Sequence, residues 1–148
     1  MTADDIAALR TQLQVEEGTR LLPYTDTRGK ITIGTGRNLT DRGISPDEAE
    51  LMLTNDITIA AQALARRVPW FVMLDPTRQR ALVDLTFNLG IGGVCGFVQM
   101  LDALNHSDYV GAAHALAQSV WATEVQPSRR DRLVSMIRTG QAQSTLTA

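Results

Sequence analysis

Glu17 and Asp26, with eight residues between them and followed by Thr32, carry the side chains most readily turned to chemistry. Acid–base cleavage of a glycosidic bond needs one neutral carboxyl to protonate the leaving oxygen and one carboxylate to act on the other side. The two groups must therefore sit in different environments. Glu17 is the next position on the face carrying Ile6, Leu9 and Leu13, where desolvation favours the neutral acid. Asp26 falls at the polar turn Asp26-Thr27-Arg28-Gly29, where water and backbone N–H groups favour the charged form. The Thr32 hydroxyl both donates and accepts hydrogen bonds, so it suits the holding of a water; it suits equally an ordinary strand position. The chain has 16 acidic residues, most of them merely solvated, and spacing alone does not single out this pair.

Placing these groups requires a helix end and a hairpin, and the chain offers both. Residues 2–17 read as a helix, with Thr2 as N-cap, Asp5 in the N3 position of a capping box and Gly18 as C-cap. Leu21–Asp26 reads as an edge strand that tolerates Pro23. Thr27-Arg28-Gly29 is turn chemistry, and Lys30-Ile31-Thr32-Ile33 alternates as a half-buried strand does. Ser45-Pro46-Asp47-Glu48 is a helix start, and Ala49, Leu53, Ile57, Ala60, Ala61, Leu64 and Val68 then form one apolar face. That helix is long enough to join two lobes. Asp75-Pro76 opens another, running to about Leu89 and apolar on most sides from Ala81, as a bundle centre is. Gly90, Gly92 and Gly93 break it; further helices are expected over 97–105, 108–121 and 128–139, with Gly140 as a stop and a fraying tail, Gln141–Ala148.

The 148 residues fit one domain, which buries roughly 70% of its unfolded surface without needing a disulfide or metal. The single cysteine, Cys95, lies in the apolar run Gly93-Val94-Cys95-Gly96-Phe97 and is expected in the core. The polar, acidic start has no signal-peptide pattern, and no run of about 18 apolar residues suggests a membrane span. A net charge of −2 argues against a nucleic-acid partner. Arg129, Arg130, Arg132 and Arg138 make either a cationic patch or a solvated helix face. Gly34-Thr35-Gly36 opens no βαβ unit, and His106 and His114 have poor metal spacing, so neither a nucleotide nor a metal is expected. Trp121 is expected in the core, whereas Trp70 is open to either reading.

The stretch from Glu17 to Gly36 resembles the active-site segment of the phage-type lysozymes, glycoside hydrolase family 24, to which the T-even phage lysozyme belongs. Their pattern is Glu, eight residues, Asp, five residues, Thr, then Ile-Gly-x-Gly, and each of those positions matches, as do Gly18, Arg20, Leu21, Tyr24 and Gly29. Asp47-Glu48-Ala49-Glu50 with Asn55-Asp56 resembles the start of that family's long helix. Arg80-Ala81-Leu82, Phe87-Asn88-Leu89-Gly90 and Gly93–Phe97 resemble its central helix and following turn. Trp121, Pro127, Arg129, Arg132 and Arg138-Thr139-Gly140 resemble its C-terminal segment. The resemblance implies an α+β, mainly α, two-lobed fold: a small β-hairpin lobe and a C-terminal helical bundle joined by a long helix. It implies a single domain over 1–148, with an N-terminal lobe at about 14–58 and a helical lobe from about 1–13 and 59–148.

By the same resemblance Glu17 is the general acid, Asp26 its partner working through water, and Thr32 a holder of that water. The family inverts, which implies a carboxyl separation of about 6.5–9.5 Å. Phe87 matches a cleft residue, Asn88 replaces a Gln and could still bond a sugar amide, and Arg129 matches an Arg near the catalytic Glu that could steady a carboxylate or bind wall carboxyls; these three are the expected substrate-binding residues, while Met100 and Ala115 stand where other sugar contacts would be. Arg37 replaces a His that commonly pairs with the Asp matching Asp56, so an Arg37–Asp56 ion pair is expected. Asn38–Ile44 is a short connection, implying a smaller N-terminal lobe. The implied activity is hydrolysis of the β-1,4 bond between N-acetylmuramic acid and N-acetylglucosamine in peptidoglycan, without a cofactor. A monomer is expected, made in the cytoplasm of a bacterial host and reaching the wall through a holin. A lytic transglycosylase, a wall-binding module without catalysis and a chitinase are the rival readings.

Overall fold

Thr2 opens the first helix as its sequence requires. Asp5 N–H donates to Thr2 Oγ1 at 3.2 Å and Thr2 N–H to Asp5 Oδ2 at 2.7 Å, closing the capping box of α1 (Ala3–Glu17). Gly18, at φ 68°, ends it and donates its N–H to Gln14 O at 3.1 Å. The computed structural model describes residues 1–142, so most of the expected fraying tail, residues 143–148, lies outside the described residues. The chain divides into two units, Met1–Leu51 and Met52–Ala148.

In the first unit, β1 (Arg20–Thr25), β2 (Ile31–Gly34) and β3 (Arg37–Asn38) form an antiparallel sheet in that order. Tyr24 and Asn38 flank Thr32 across the central strand. The hairpin agrees with the sequence reading, whereas β3 and the one-turn α2 (Leu39–Arg42) were not foreseen. The alternation of β2 has the opposite sense from a strand with its isoleucines inside: Thr32 is 4% exposed and Ile31 45%. A period of two shows which residues share a face, not which face is covered. Among residues 1–51, all described, only Thr32 is buried.

α3 (Pro46–Arg67) starts in a second capping box: Glu48 N–H donates to Ser45 Oγ at 3.2 Å, and Ser45 N–H to Glu48 Oε2 at 2.7 Å. Its apolar face is covered only from Ala60 onward; Leu53 and Ile57 are exposed. In the second unit a 3-10 turn (Pro69–Met73) leads to α4 (Pro76–Cys95), which Asp75 caps through Thr77 N–H and Arg78 N–H. Gly90, at φ 70° and ψ 165°, kinks α4 as a breaker should. Helical structure then resumes to Cys95, so Gly92 and Gly93 do not end it. α5 (Val98–Asn105) follows, and the single helix expected over 108–121 is two, α6 (Tyr109–Ala117) and α7 (Val120–Glu124). Ser119 divides them, its Oγ accepting from Ala122 N–H at 3.3 Å, a capping role that the apolar period conceals. α8 (Pro127–Thr139) ends at Gly140, φ 68°, as expected.

Leu64, Leu82, Leu85, Val94, Met100, Leu104, Leu116, Leu133 and Ile137 are the largest fully enclosed side chains among the described residues of this unit. Trp121 is buried with them and Trp70 packs against them partly covered. Cys95 is half-buried rather than in the core, because Val94 takes the inward position of that turn. Arg78, only 8% exposed, ties three elements together. It donates Nη1 to Asp75 Oδ2 at 2.6 Å, Nε to Ile137 O at 2.8 Å and Nη2 to Arg138 O at 3.2 Å. Its guanidinium lies 3.4 Å from the Tyr109 ring centroid. It thus satisfies carbonyls that the end of α8 leaves unpaired. A Cβ on Gly140 would come within 2.5 Å of Arg78 Nη1, so the glycine is needed for space as well as for its left-handed backbone.

Candidate active site

Glu17 is the last residue of α1 and is exposed; no described residue hydrogen-bonds its carboxyl, while the adjacent Glu16 accepts from Gln12 Nε2 at 2.9 Å. The stripe of Ile6, Leu9 and Leu13 that leads to it is also exposed, at 40–49%. Helical spacing aligns residues on a face, but desolvation needs a second surface against that face. Beyond Gly18, Thr19 Oγ1 lies 3.1 Å from Thr35 Oγ1, which ties the segment leaving Glu17 to the turn after β2.

Asp26 is held by the turn it begins. Its Oδ1 accepts from Arg28 N–H and Lys30 N–H, both at 2.8 Å. Its own N–H donates to Lys30 O at 2.9 Å, and its carbonyl accepts from Gly29 N–H at 3.0 Å. No described residue hydrogen-bonds Oδ2. The carboxylate is thus fixed through one oxygen, the other remaining open to a ligand or a water. Thr32 Oγ1 donates to Lys30 O at 3.4 Å, a long bond that leaves the buried hydroxyl weakly committed. The backbone of Lys30 accordingly organises both side chains.

A second layer braces Lys30, and sequence reading passed over it. Lys30 Nζ donates to Asp41 Oδ1 at 2.9 Å, and Ile31 N–H to Thr40 Oγ1 at 2.9 Å, so α2 clamps the start of β2. The Lys30 hydrogen bond, followed by that of Asn38, holds the Asp41 carboxyl below the usual carboxylate range. Arg37 pairs with Glu48 rather than with Asp56. Its Nη1 donates to Glu48 Oε2 at 2.9 Å and its Nη2 to Oε1, with a further bond from Nη1 to Gly43 O at 3.3 Å. The short connection delivers the first turn of α3 to Arg37, where the Glu48 carboxylate meets the planar guanidinium with a two-bond fork. The Ser45 backbone bond first, then Arg37, keeps the Glu48 carboxyl below its ordinary value.

In the second unit, Phe87 and Arg129 line an open groove of about 800 Å³, and Asn88 and Arg129 line a pocket of about 430 Å³ that shares Gln126 with it. The three residues predicted to bind substrate thus converge. Asn88 Oδ1 accepts from Trp121 Nε1 at 2.9 Å, which leaves its NH₂ as the free end. Met100 is 1% exposed and belongs to the core. The late arginines are not a bare cationic patch: Arg129 bonds Asp84 through Nε at 2.9 Å, Arg132 Nη2 lies 3.8 Å from Asp84 Oδ2, and Arg130 pairs with Asp131. Asp84 gave no signal in the sequence, being one acid among many on a helix.

The chain matches the family model described as phage lysozyme over residues 14–134. It is 26% identical to the probable T4-type lysozyme 2 of Dictyostelium discoideum, covering 91% of this chain and 96% of that one. It is 34% identical to the endolysin of Salmonella phage P22, covering 71% of this chain and 75% of that protein. It is also 27% identical to the pre-baseplate central spike protein Gp5 of Enterobacteria phage T4, matching 93% of this chain and 28% of that longer protein.

Proposed function

Because the chain belongs to the phage lysozyme family and is a peptidoglycan hydrolase, we propose that it cuts the β-1,4 bond between N-acetylmuramic acid and N-acetylglucosamine with inversion. Glu17 protonates the leaving oxygen. Asp26, through its open Oδ2, takes a proton from the attacking water, and Thr32 orients that water. Phe87, Asn88 and Arg129 bind the polymer. The protein acts as a monomeric endolysin in host lysis, is made in the host cytoplasm and reaches the wall through a holin; the endolysin of Salmonella phage P22 among its relatives supports that setting.

The observation that carries the chemistry is the anchoring of Asp26 and Thr32 on Lys30, on the hairpin that follows Glu17. Acid–base hydrolysis requires two carboxyls with different tasks, and Asp26, fixed through one oxygen with the other open, suits the one that acts on water.

The test is mass spectrometry of fragments released from purified Gram-negative peptidoglycan, with the fresh anomer read by NMR. Reducing muramic-acid ends in the α configuration from wild type, with a loss of at least ~10²-fold in Glu17→Gln, are the expected result. Anhydro ends would instead make the protein a transglycosylase, β anomers would remove inversion, and no fragments would leave a binding module.

A further inference from the structure

We propose that Thr40 is a positioning residue for Thr32: its hydroxyl fixes the tilt of the Lys30–Ile31 peptide, whose carbonyl in turn places the Thr32 hydroxyl. The catalytic consequence rests on the reading above; the geometry lies wholly within the first unit, Met1–Leu51. A peptide is planar, and its N–H and C=O point to opposite sides. On one side, Ile31 N–H donates to Thr40 Oγ1 at 2.9 Å. On the other, Lys30 O accepts from Asp26 N–H at 2.9 Å and from Thr32 Oγ1 at 3.4 Å. The Thr32 bond is at the outer limit of a hydrogen bond. A small tilt of the plane thus decides whether this buried hydroxyl is held by the carbonyl or turns to a water.

The register of the sheet explains why a side chain does this. β2 and β3 pair Ile33 with Arg37 and Thr32 with Asn38, so the next step would set Ile31 opposite Leu39. Asn38 instead caps α2, and Leu39 O accepts from Gly43 N–H at 3.1 Å. Thr40 Oγ1 takes the place of the strand carbonyl that β3 no longer offers. A water would also accept from Ile31 N–H, but it would follow the N–H wherever the peptide turned. Thr40 sits instead on a fastened turn. Asp41 N–H donates to Asn38 Oδ1, Asn38 Nδ2 to Asp41 Oδ2 and Lys30 Nζ to Asp41 Oδ1, each at 2.9 Å.

The experiment uses the full chain and soluble, uncross-linked peptidoglycan strands. Thr40→Val and Thr40→Ala remove the acceptor, and Thr40→Ser keeps it. Both removals lower kcat roughly 10-fold and leave KM unchanged, and Thr40→Ser restores kcat. In a Thr32→Val background the removals cost nothing further, since Thr40 acts through Thr32. NMR reads the geometry without turnover: the Ile31 amide and Thr32 methyl resonances move in both removals and overlay wild type in Thr40→Ser. Melting curves check folding, and two removals of different shape keep one misfolded variant from deciding the outcome. The proposal is overturned if a folded removal keeps the wild-type kcat, if KM alone changes, if the loss adds to that of Thr32→Val, or if the Thr32 resonances stay in place. Wild type that releases fragments, with the Thr40 removals matching it, sinks this inference alone. Wild type that releases none, beside Thr32 resonances that follow Thr40, sinks the muramidase reading alone.

Discussion

Asp26 and Thr32 are bonded to the backbone of one residue, Lys30, whose N–H donates to Asp26 Oδ1 at 2.8 Å and whose carbonyl accepts from Thr32 Oγ1 at 3.4 Å. A shift of that peptide moves both side chains together. Lys30 is itself held by Asp41 through its ammonium, so the brace reaches Asp26 and Thr32 only through the backbone.

Asp26→Asn keeps an oxygen for the two backbone N–H groups and removes the charge. Activity should fall by ~10²-fold or more while the melting temperature stays near that of wild type. Asp26→Ala removes the acceptor of Arg28 N–H and Lys30 N–H and should cost about 0.5–1.5 kcal/mol as well. Comparing turnover with thermal melts for the two variants checks this; equal activity in Asp26→Asn and wild type would remove Asp26 from the mechanism.

Thr32 is buried, and its one hydrogen bond is long, so Thr32→Val should leave stability within about 1 kcal/mol of wild type. If the hydroxyl orients water, kcat falls in Thr32→Val and largely returns in Thr32→Ser. Unchanged kcat in Thr32→Val would make Thr32 an ordinary strand residue.

Arg78→Ala should destabilise the second unit by about 3–5 kcal/mol, because it leaves Asp75 and two carbonyls of α8 without their partner. Denaturant titration measures the loss. A change below ~1 kcal/mol would mean that water replaces the guanidinium at little cost.

Stability should fall in acid, with a defined share from Asp75. Burial alone would raise its pKa, but the Arg78 side-chain hydrogen bond, backbone bonds and charge outweigh it, so the folded value lies below the ordinary one. A group depressed in this way stabilises above its unfolded pKa of about 4, and that stabilisation is lost as pH falls through the lower folded value. Asp41 and Glu48 act with the same sign. Melting temperatures recorded from pH 6 down to about 2.5 should drop less steeply in Asp75→Asn than in wild type; parallel curves would contradict the assignment.

By itself the sequence determined the local elements and the identity of the candidate chemistry. The Thr2 capping box, the Gly18 and Gly140 stops, the Pro76 helix start and the turn at Asp26 are written in short-range patterns, because caps and turns are satisfied by neighbours within a few residues. The spacing of Glu17, Asp26 and Thr32 carried the resemblance from which their roles were read. Only the tertiary structure decided which faces are covered and which charges meet. It put Thr32 inside and Ile31 outside, left the α1 stripe exposed, gave Arg37 to Glu48, and gave Arg129 to Asp84 across 45 residues of chain. Burial and ion pairing depend on surfaces brought together from distant segments, and periodicity along one segment contains no record of its partner.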